Sequence, residues 1–376
     1  ATRTYEHCKN WVHLGAKVTV LTGVPNFPEG KVYDGYKNKL FQQYDFDGIK
    51  VLRVWTYIAK NEGFFKRSID QFSFAFTSLI AGVFQRFDIV IATSPSFFTT
   101  WSAYLLSKIK NKPWVFELRD IWPKSISSLN MMKGGLLISV LEKIEKKLYD
   151  DCDMIIPVTS SFKTYLINLG IEKKKIHVIT NGVNLEFFKK GDKDNALIEN
   201  LNLKDKFVIG YFGTIGLSHS LKFVVKTISK LINANVYLII AGSGAKKEEI
   251  INYIKYKNIK NIILLPSLPK KDLLKYMRII DSAIVPLLRI EAFKEVIPSK
   301  IFEAAALEKP IILGVEGEAE DIIKKYNAGI CFIPEDEKSL ENAIMRLISN
   351  YKNLVEYKRG CNKLAADFNR KNLSKI

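Results

Sequence analysis

The chain has 376 residues, 47% hydrophobic and 26% charged, which is ordinary for a globular protein and enough for two or three domains. No run of ~18 apolar residues lies free of charge, so no membrane-spanning helix is expected. The net charge of +18 points to anionic partners such as nucleic acid, phosphorylated ligands or an acidic lipid surface. Lysines in Asn- and Ile-rich stretches such as "YIKYKNIKNI" fit a coding bias equally well.

The four cysteines, Cys8, Cys152, Cys331 and Cys361, stand far apart with no CxxC pair, and the four histidines are scattered. This fits a reducing compartment, with no disulfide framework and no metal site. The opening "ATRTYEHCKNWVHLG" has no signal-peptide pattern, so a cytoplasmic location is expected.

That opening reads as a helix. A doubly wound domain begins on a strand and a tight turn, so a first strand and glycine loop are expected ahead of Ala1. Short apolar runs then read as buried parallel strands: "KVTVLT", "IKVLRVW", "FDIVIATS", "KPWVFEL", "DMIIPVTS", "KIHVIT", "KFVIGYFG", "NVYLIIAGSG", "NIILLPS", "SAIVPLL" and "KPIILGV". Helical patterns alternate with them, such as "SLKFVVKTISKLI" and "PKKDLLKYMRII". The fold class is therefore α/β, with two Rossmann-like parallel-sheet domains facing across a cleft. The polar stretch 184–205 separates them. The expected domains are 1–188, 189–350, and a helical segment 351–376 crossing back to the first.

Between the strands, residues 62–87 form an aromatic helical stretch with basic flanks. It suits a membrane surface or a core helix, because its phenylalanines do not share one clean face. "VFELRDIWPKSI" places Glu117, Arg119 and Asp120 at a strand's carboxyl end, where ligands bind in such sheets; a structural ion pair is the plainer reading. Asn181-Gly182 permits positive φ and reads as a turn or hinge. The Asp-x-Asp pairs at 45/47, 151/153 and 192/194 are discounted as metal ligands.

In the second half, Gly213, Thr214 and Gly216 follow a strand and precede a helix, where backbone approaches a phosphate, though a plain tight turn would look the same. Gly242 and Gly244 form a similar pair. They could line a base or ribose, or simply end a strand. "EAFKEVIPSKIFEAAALEKP" carries more. Pro298 suits a first helical turn, and the N–H groups of Ser299 and Lys300 would face an anion beside the lysine ammonium. Glu303, a turn further on, can accept two hydrogen bonds from a vicinal diol such as a ribose. A solvated Glu303 paired with Lys300 is the bland alternative.

Together these motifs resemble retaining glycosyltransferases of the GT-B fold, family 4, in the bacterial branch that builds O-antigen and capsule and includes N-acetyl-L-fucosamine transferases. The resemblance runs through "TRTYEHCKNWVHLGAKVTVLTGVPNFPEGKVYDGY", "FDIVIATSPS", "RDIWPKSI", "ITNGVN", "YFGTIG", "PSKIFEAAALEKPII" and "EGEAEDII". It implies a nucleotide-sugar donor, expected as a UDP-linked sugar such as an N-acetylated amino sugar, and a lipid-linked or polysaccharide acceptor at the inner membrane face. It implies no cofactor, no metal and no nucleic acid. By position, Glu303 would hold the donor ribose and Glu295 would approach the donor sugar. Ser299, Lys300 and the 213–216 loop would hold the diphosphate. Asp120 and Arg119 would act opposite, and Thr2 and Arg3 would reach the phosphate or acceptor. The chain departs from the family where an Arg and a Lys commonly follow the second-domain glycine: those places hold Thr214 and His219. Lys300 and Arg289 are the replacement cations expected. Ala304 stands where an aromatic is usual.

Three other readings share parts of this pattern. An NAD oxidoreductase lacks its G-x-G-x-x-G with a following acid. A non-catalytic nucleotide-sugar binder and a GT-B epimerase would use the same cleft without an acceptor.

Overall fold

The computed structural model describes residues 2–26, 30–58, 64–94, 96–121 and 136–376. The chain forms two compact units, residues 1–180 with 374–376, and residues 181–373. The expected division at 188/189 falls eight residues later than this one. The helix Tyr351–Asp367 packs on the helix Lys300–Ala306 within the second unit, and only the last three residues group with the first.

In the first unit β1 (Thr19–Thr22) pairs in parallel with β3 (Ile49–Val54), and β2 (Phe41–Phe46) pairs with β3 antiparallel. The all-parallel expectation fails here for a local reason. Asp47 and Gly48 both take positive φ, 51° and 73°, which makes the two-residue turn of a tight hairpin. A second sheet has the order β4-β5-β6, all parallel: β4 (Val90–Thr93), β5 (Trp114–Leu118) and β6 (Met154–Pro157). Trp114, Phe116 and Leu118 alternate into its core with Tyr149 and Leu166. Residues 175–180, expected as a strand, make only an isolated bridge, Ile155 to Ile176.

The helix Phe64–Val83 shows one face that the phenylalanine spacing alone did not reveal. Ile69, Phe72, Phe76 and Ile80 lie three or four apart and are exposed, while Ala75, Ser78 and Ala81 are buried. No helix among the described residues is long and apolar enough to cross a membrane.

The second unit is one six-stranded parallel sheet in the order β12-β11-β10-β7-β8-β9. The strands are β7 (Phe207–Phe212), β8 (Val236–Ala241), β9 (Ile262–Leu265), β10 (Ser282–Pro286), β11 (Ile311–Gly314) and β12 (Gly329–Cys331). Each face carries its own core. Val208 and Phe212 of β7 pack on one side, Ile209 and Tyr211 on the other. Burial on both faces explains why these strands read as unbroken apolar runs. The order reverses between β7 and β10, which makes the loops after these two strands the switch point where ligands bind in doubly wound sheets.

Candidate functional site

The loop after β7 is Gly213-Thr214-Ile215-Gly216, and the loop after β8 lies directly on it. Gly213 donates its N–H to Ala241 O (2.9 Å), Ile215 donates to Ser243 O (2.8 Å), and Lys246 donates to Ile215 O (3.0 Å). Backbone meets backbone so closely that a Cβ on Gly242 would stand 1.8 Å from Gly213 O. No side chain fits there, and φ of 158° at Gly242 already favours glycine. Gly242 and Gly244 thus shape the neighbouring loop as well as ending their own strand. Lys247, which sequence reasoning missed, ties the arrangement down by donating to Gly242 O (2.8 Å) and Leu265 O (3.2 Å).

Lys300 lies beside this loop. A Cβ on Gly213 would stand 2.6 Å from Lys300 Cε, so the bare backbone leaves room for the lysine stem. The ammonium rests 4.9 Å from the centre of the Tyr211 ring, and the His219 imidazole meets the same ring edge-on at 6.1 Å. Tyr211 in turn donates its hydroxyl to Thr214 O, which fixes the ring against the loop. Tyr211 was another residue the motif reading passed over. Its signal was only an aromatic inside an apolar strand, and no spacing rule marks that as functional.

Burial pushes the Lys300 ammonium down to about 8, with Glu303 pulling the other way. Burial also pushes His219 down to about 4, and the charge of Lys300 adds to the effect. An ammonium and a titratable imidazole are therefore held together where charge is costly. A charge so placed is compensated by an anion.

The helix behind Lys300 is Lys300–Ala306, seven residues long. Pro298 precedes it rather than opening it, and its carbonyl accepts from Ile301 N–H (3.2 Å). Ser299 is the N-cap and makes no side-chain cap. So short a helix has little dipole, and the positive charge comes from the Lys300 side chain. Ala304 and Ala305 are fully buried, which lets the helix lie close to its neighbours. Glu303 is partly buried on the exposed side. Its Oε1 lies 4.0 Å from the Lys270 ammonium, and its charge also acts on Lys300, the partner that the i,i+3 spacing offers.

Glu295 closes the short 3-10 turn Glu291–Glu295 just ahead of this helix. Arg289 follows β10 and is exposed. Its Nε lies 3.3 Å from Glu316, and its backbone N–H donates to Glu335 (3.0 Å). A guanidinium so paired is a weaker candidate for the anion than Lys300.

In the first unit the outcome differs. Arg3 is 4% exposed and its guanidinium points inward. It bonds Glu117 (2.7 Å), Thr180 O (2.6 Å) and Ile179 O (2.9 Å). The expectation that Arg3 reaches a ligand is corrected: it is a buried strut between the opening helix, β5 and the segment after β6. Thr2 merely starts that helix. Burial raises the Glu117 carboxyl, but Arg3, Thr93 and Arg119 outweigh it and hold Glu117 below its ordinary range. Asp120 goes the other way: burial raises it, and Arg119 only partly opposes this. Ser94, also missed, shapes the turn. Its hydroxyl accepts from Arg119 N–H (2.8 Å) and Asp120 N–H (3.2 Å). The rest of that motif, from Trp122 on, lies outside the described residues.

The remaining motifs are structural. Gly182 does not take positive φ. A Cβ there would stand 2.3 Å from Phe368 O, and beside it Val183 donates its N–H to Phe368 O (2.9 Å) and accepts from Arg370 N–H (2.9 Å). Asp153 accepts from Trp114 N–H (2.8 Å), Asp194 caps the helix Asn195–Asn200, and Asp47 bonds Tyr5 and Lys9.

With this geometry in view, known proteins match throughout. Residues 192–363 match the family described as glycosyl transferases group 1, and residues 1–187 match glycosyltransferase family 4. Together the two matches take in nearly the whole chain, which belongs to the group 1/family 4 glycosyltransferases. The Escherichia coli (strain K12) protein named as a colanic acid biosynthesis glycosyl transferase, WcaI, is 23% identical over 346 residues, 89% of this chain and 84% of that one. Sucrose-phosphate synthase from Thermosynechococcus elongatus superposes with a TM-score of 0.76 at 15% identity, covering 98% of this chain and 89% of the other. Anabaena Alr3699/HepE, solved in complex with UDP, gives 0.68 at 16% identity, covering 87% and 84%. The two-domain α/β fold is the GT-B fold.

Proposed function

We propose that the protein transfers a sugar from a UDP-linked donor, an N-acetylated amino sugar, to a lipid-linked or polysaccharide acceptor during assembly of bacterial surface polysaccharide. The observation that carries this reading is the Lys300–Tyr211–His219 cluster beside the Gly213 loop, where a half-buried lysine and imidazole share a buried tyrosine ring at the switch point of the second unit. The Anabaena neighbour was solved with UDP, and the Escherichia coli relative is named for colanic acid biosynthesis; both agree with it.

In this reading Lys300 and the N–H groups of Thr214 and Gly216 meet the diphosphate, those of Gly213 and Ile215 being donated to Ala241 O and Ser243 O, and Glu303 takes the ribose hydroxyls. As the sugar–oxygen bond breaks, negative charge grows on the leaving diphosphate, and an already positioned ammonium stabilises it without reorganisation. Glu295 would approach the donor sugar. Asp120, which burial biases toward its protonated form, and Arg119 would serve the acceptor side. An acceptor hydroxyl attacking the face the diphosphate leaves would retain the anomeric configuration. The enzyme would work at the inner face of the membrane and need neither cofactor nor metal.

Calorimetry with UDP, ADP and GDP tests the donor half. UDP is expected to bind best, and Glu303→Ala to weaken it ~10-fold, or ~1.4 kcal/mol. Equal UDP affinity in that variant would remove Glu303 from the site. Turnover of UDP-N-acetylaminosugars with and without a diphospholipid-linked saccharide tests the rest. Product only with acceptor supports transfer; a changed sugar without acceptor would make the chain an epimerase, and binding without either would make it a binder.

A further inference from the structure

His219 is the feature this reading does not yet use. Its Nδ1 stands 3.3 Å from where a Cβ on Gly216 would be, so the imidazole abuts the loop that takes the diphosphate. It shares the Tyr211 ring with Lys300. Its own turn offers the Ser218 hydroxyl, 3.3 Å from Nδ1, and the Gly216 backbone, which favours the protonated ring and partly opposes burial and Lys300. From the neighbouring elements, the charged groups are Lys300 and, one shell further out, Glu303, Arg289 and Glu335. Glu303 acts on Lys300, while Glu335 bonds the Ser220 hydroxyl (3.3 Å) and the Arg289 N–H (3.0 Å). Among the described residues no carboxylate bonds His219. A lysine therefore presses on the imidazole, and no fixed anion offsets it.

We propose that donor binding at this loop is coupled to proton uptake: His219 is neutral in the free protein and takes one proton from solvent as the donor's diphosphate settles beside it and Lys300. The inference rests on the assignment of this loop as the diphosphate site. It makes His219 a conditional cation, supplied only when the donor is in place. The direction of the pH dependence follows. Free His219 titrates at about 4, and the adjacent dianion raises it in the complex. Between those two values the complex holds more protons than the free protein, so affinity rises as pH falls. Lys300 gives a separate limb. Free Lys300 titrates at about 8, the donor raises it, and affinity declines again as pH rises above that value.

The test is calorimetry with UDP-N-acetylglucosamine, whose diphosphate is esterified at both ends and has no group that titrates near neutrality. Titrations run in buffers of low and high ionisation enthalpy, at pH 5.5, 7.5 and 8.5. The expected result is binding at least ~5-fold tighter at pH 5.5 than at 7.5, with net proton uptake. His219→Asn should abolish that uptake while keeping the limb above pH 8. Lys300→Arg should remove the upper limb while keeping the lower one. Binding that is equally tight at 5.5 and 7.5 with no buffer dependence overturns the proposal and leaves the site assignment standing. Absence of binding by any nucleotide sugar at every pH overturns both. Uptake that persists in His219→Asn, in a variant with wild-type thermal stability, moves the proton to another group and overturns the proposal too.

Discussion

At the end of β5, buried Arg3 bonds half-buried Glu117 and donates to two backbone carbonyls; at the end of β7, Lys300 is held against an aromatic ring and a neutral imidazole. Both places answer the same topological rule, that function gathers beyond the carboxyl ends of parallel strands. One charge set has satisfied itself within the fold and the other has not. What separates a strut from a binding site is thus the fate of the hydrogen-bonding capacity, which position alone does not reveal.

The contrast can be broken most sharply at Arg3. Arg3→Met leaves the Glu117 carboxylate buried without its cation, a loss of ~3–5 kcal/mol. Thermal denaturation should show the first unit melting much earlier, and adding Glu117→Gln should recover part of the loss. UDP affinity measured below that transition should stay within twofold. A variant that melts normally but loses the ligand would make Arg3 a binding residue after all.

Gly242→Ala probes the opposite side. Its Cβ would meet a backbone oxygen, so the 213–216 loop must move, and UDP affinity should fall ~100-fold, or ~2.8 kcal/mol. Gly213→Ala should be milder, because its Cβ meets the flexible end of Lys300. The reverse ranking, read by calorimetry, would mean that Lys300 rather than the loop-on-loop contact sets the site.

The smallest effect is expected at Glu145, on the helix Leu136–Asp151 of the first unit. Burial pushes its carboxyl up to about 8, with Tyr149 opposing and Glu142 adding. The folded state thus holds a proton that the unfolded chain has lost above ~4.3, so this group's contribution falls as pH rises from there to about 8. Glu145→Gln should raise the melting temperature at pH 8 by ~2–4 °C per kcal/mol relieved, and change little at pH 4.5. A gain of equal size at both pH values would point to packing instead of titration.

Much of this was legible in the sequence, for a physical reason. Strands buried on both faces, such as β7, β8 and β11, announce themselves as apolar runs. The strand β2, "FQQYDF", is largely exposed and pairs along one edge, so its composition hid it, although Asp47-Gly48 marked the hairpin. Residues 175–180 have strand-like composition but find only one bridge. Around the candidate site, Gly213, Gly216 and Lys300 stand out in the sequence by spacing and charge. Tyr211, Lys247 and Ser94 do not, because each matters through a neighbour that only the strand order brings near. Arg3 was misjudged for the same reason: its partners lie more than a hundred residues away.

The bracing of the helix Lys300–Ala306 by the helix Tyr351–Asp367 has a consequence for synthesis on the ribosome. Phe302 stacks on Phe368 with ring centres 4.6 Å apart, and Val183 is bonded to Phe368 and Arg370. A nascent chain that has already emerged through Glu303 still lacks the residues that seat that helix and close the second unit. Every segment carrying the glycine loops must wait, with apolar strands made and not yet covered, until residues 351–370 arrive.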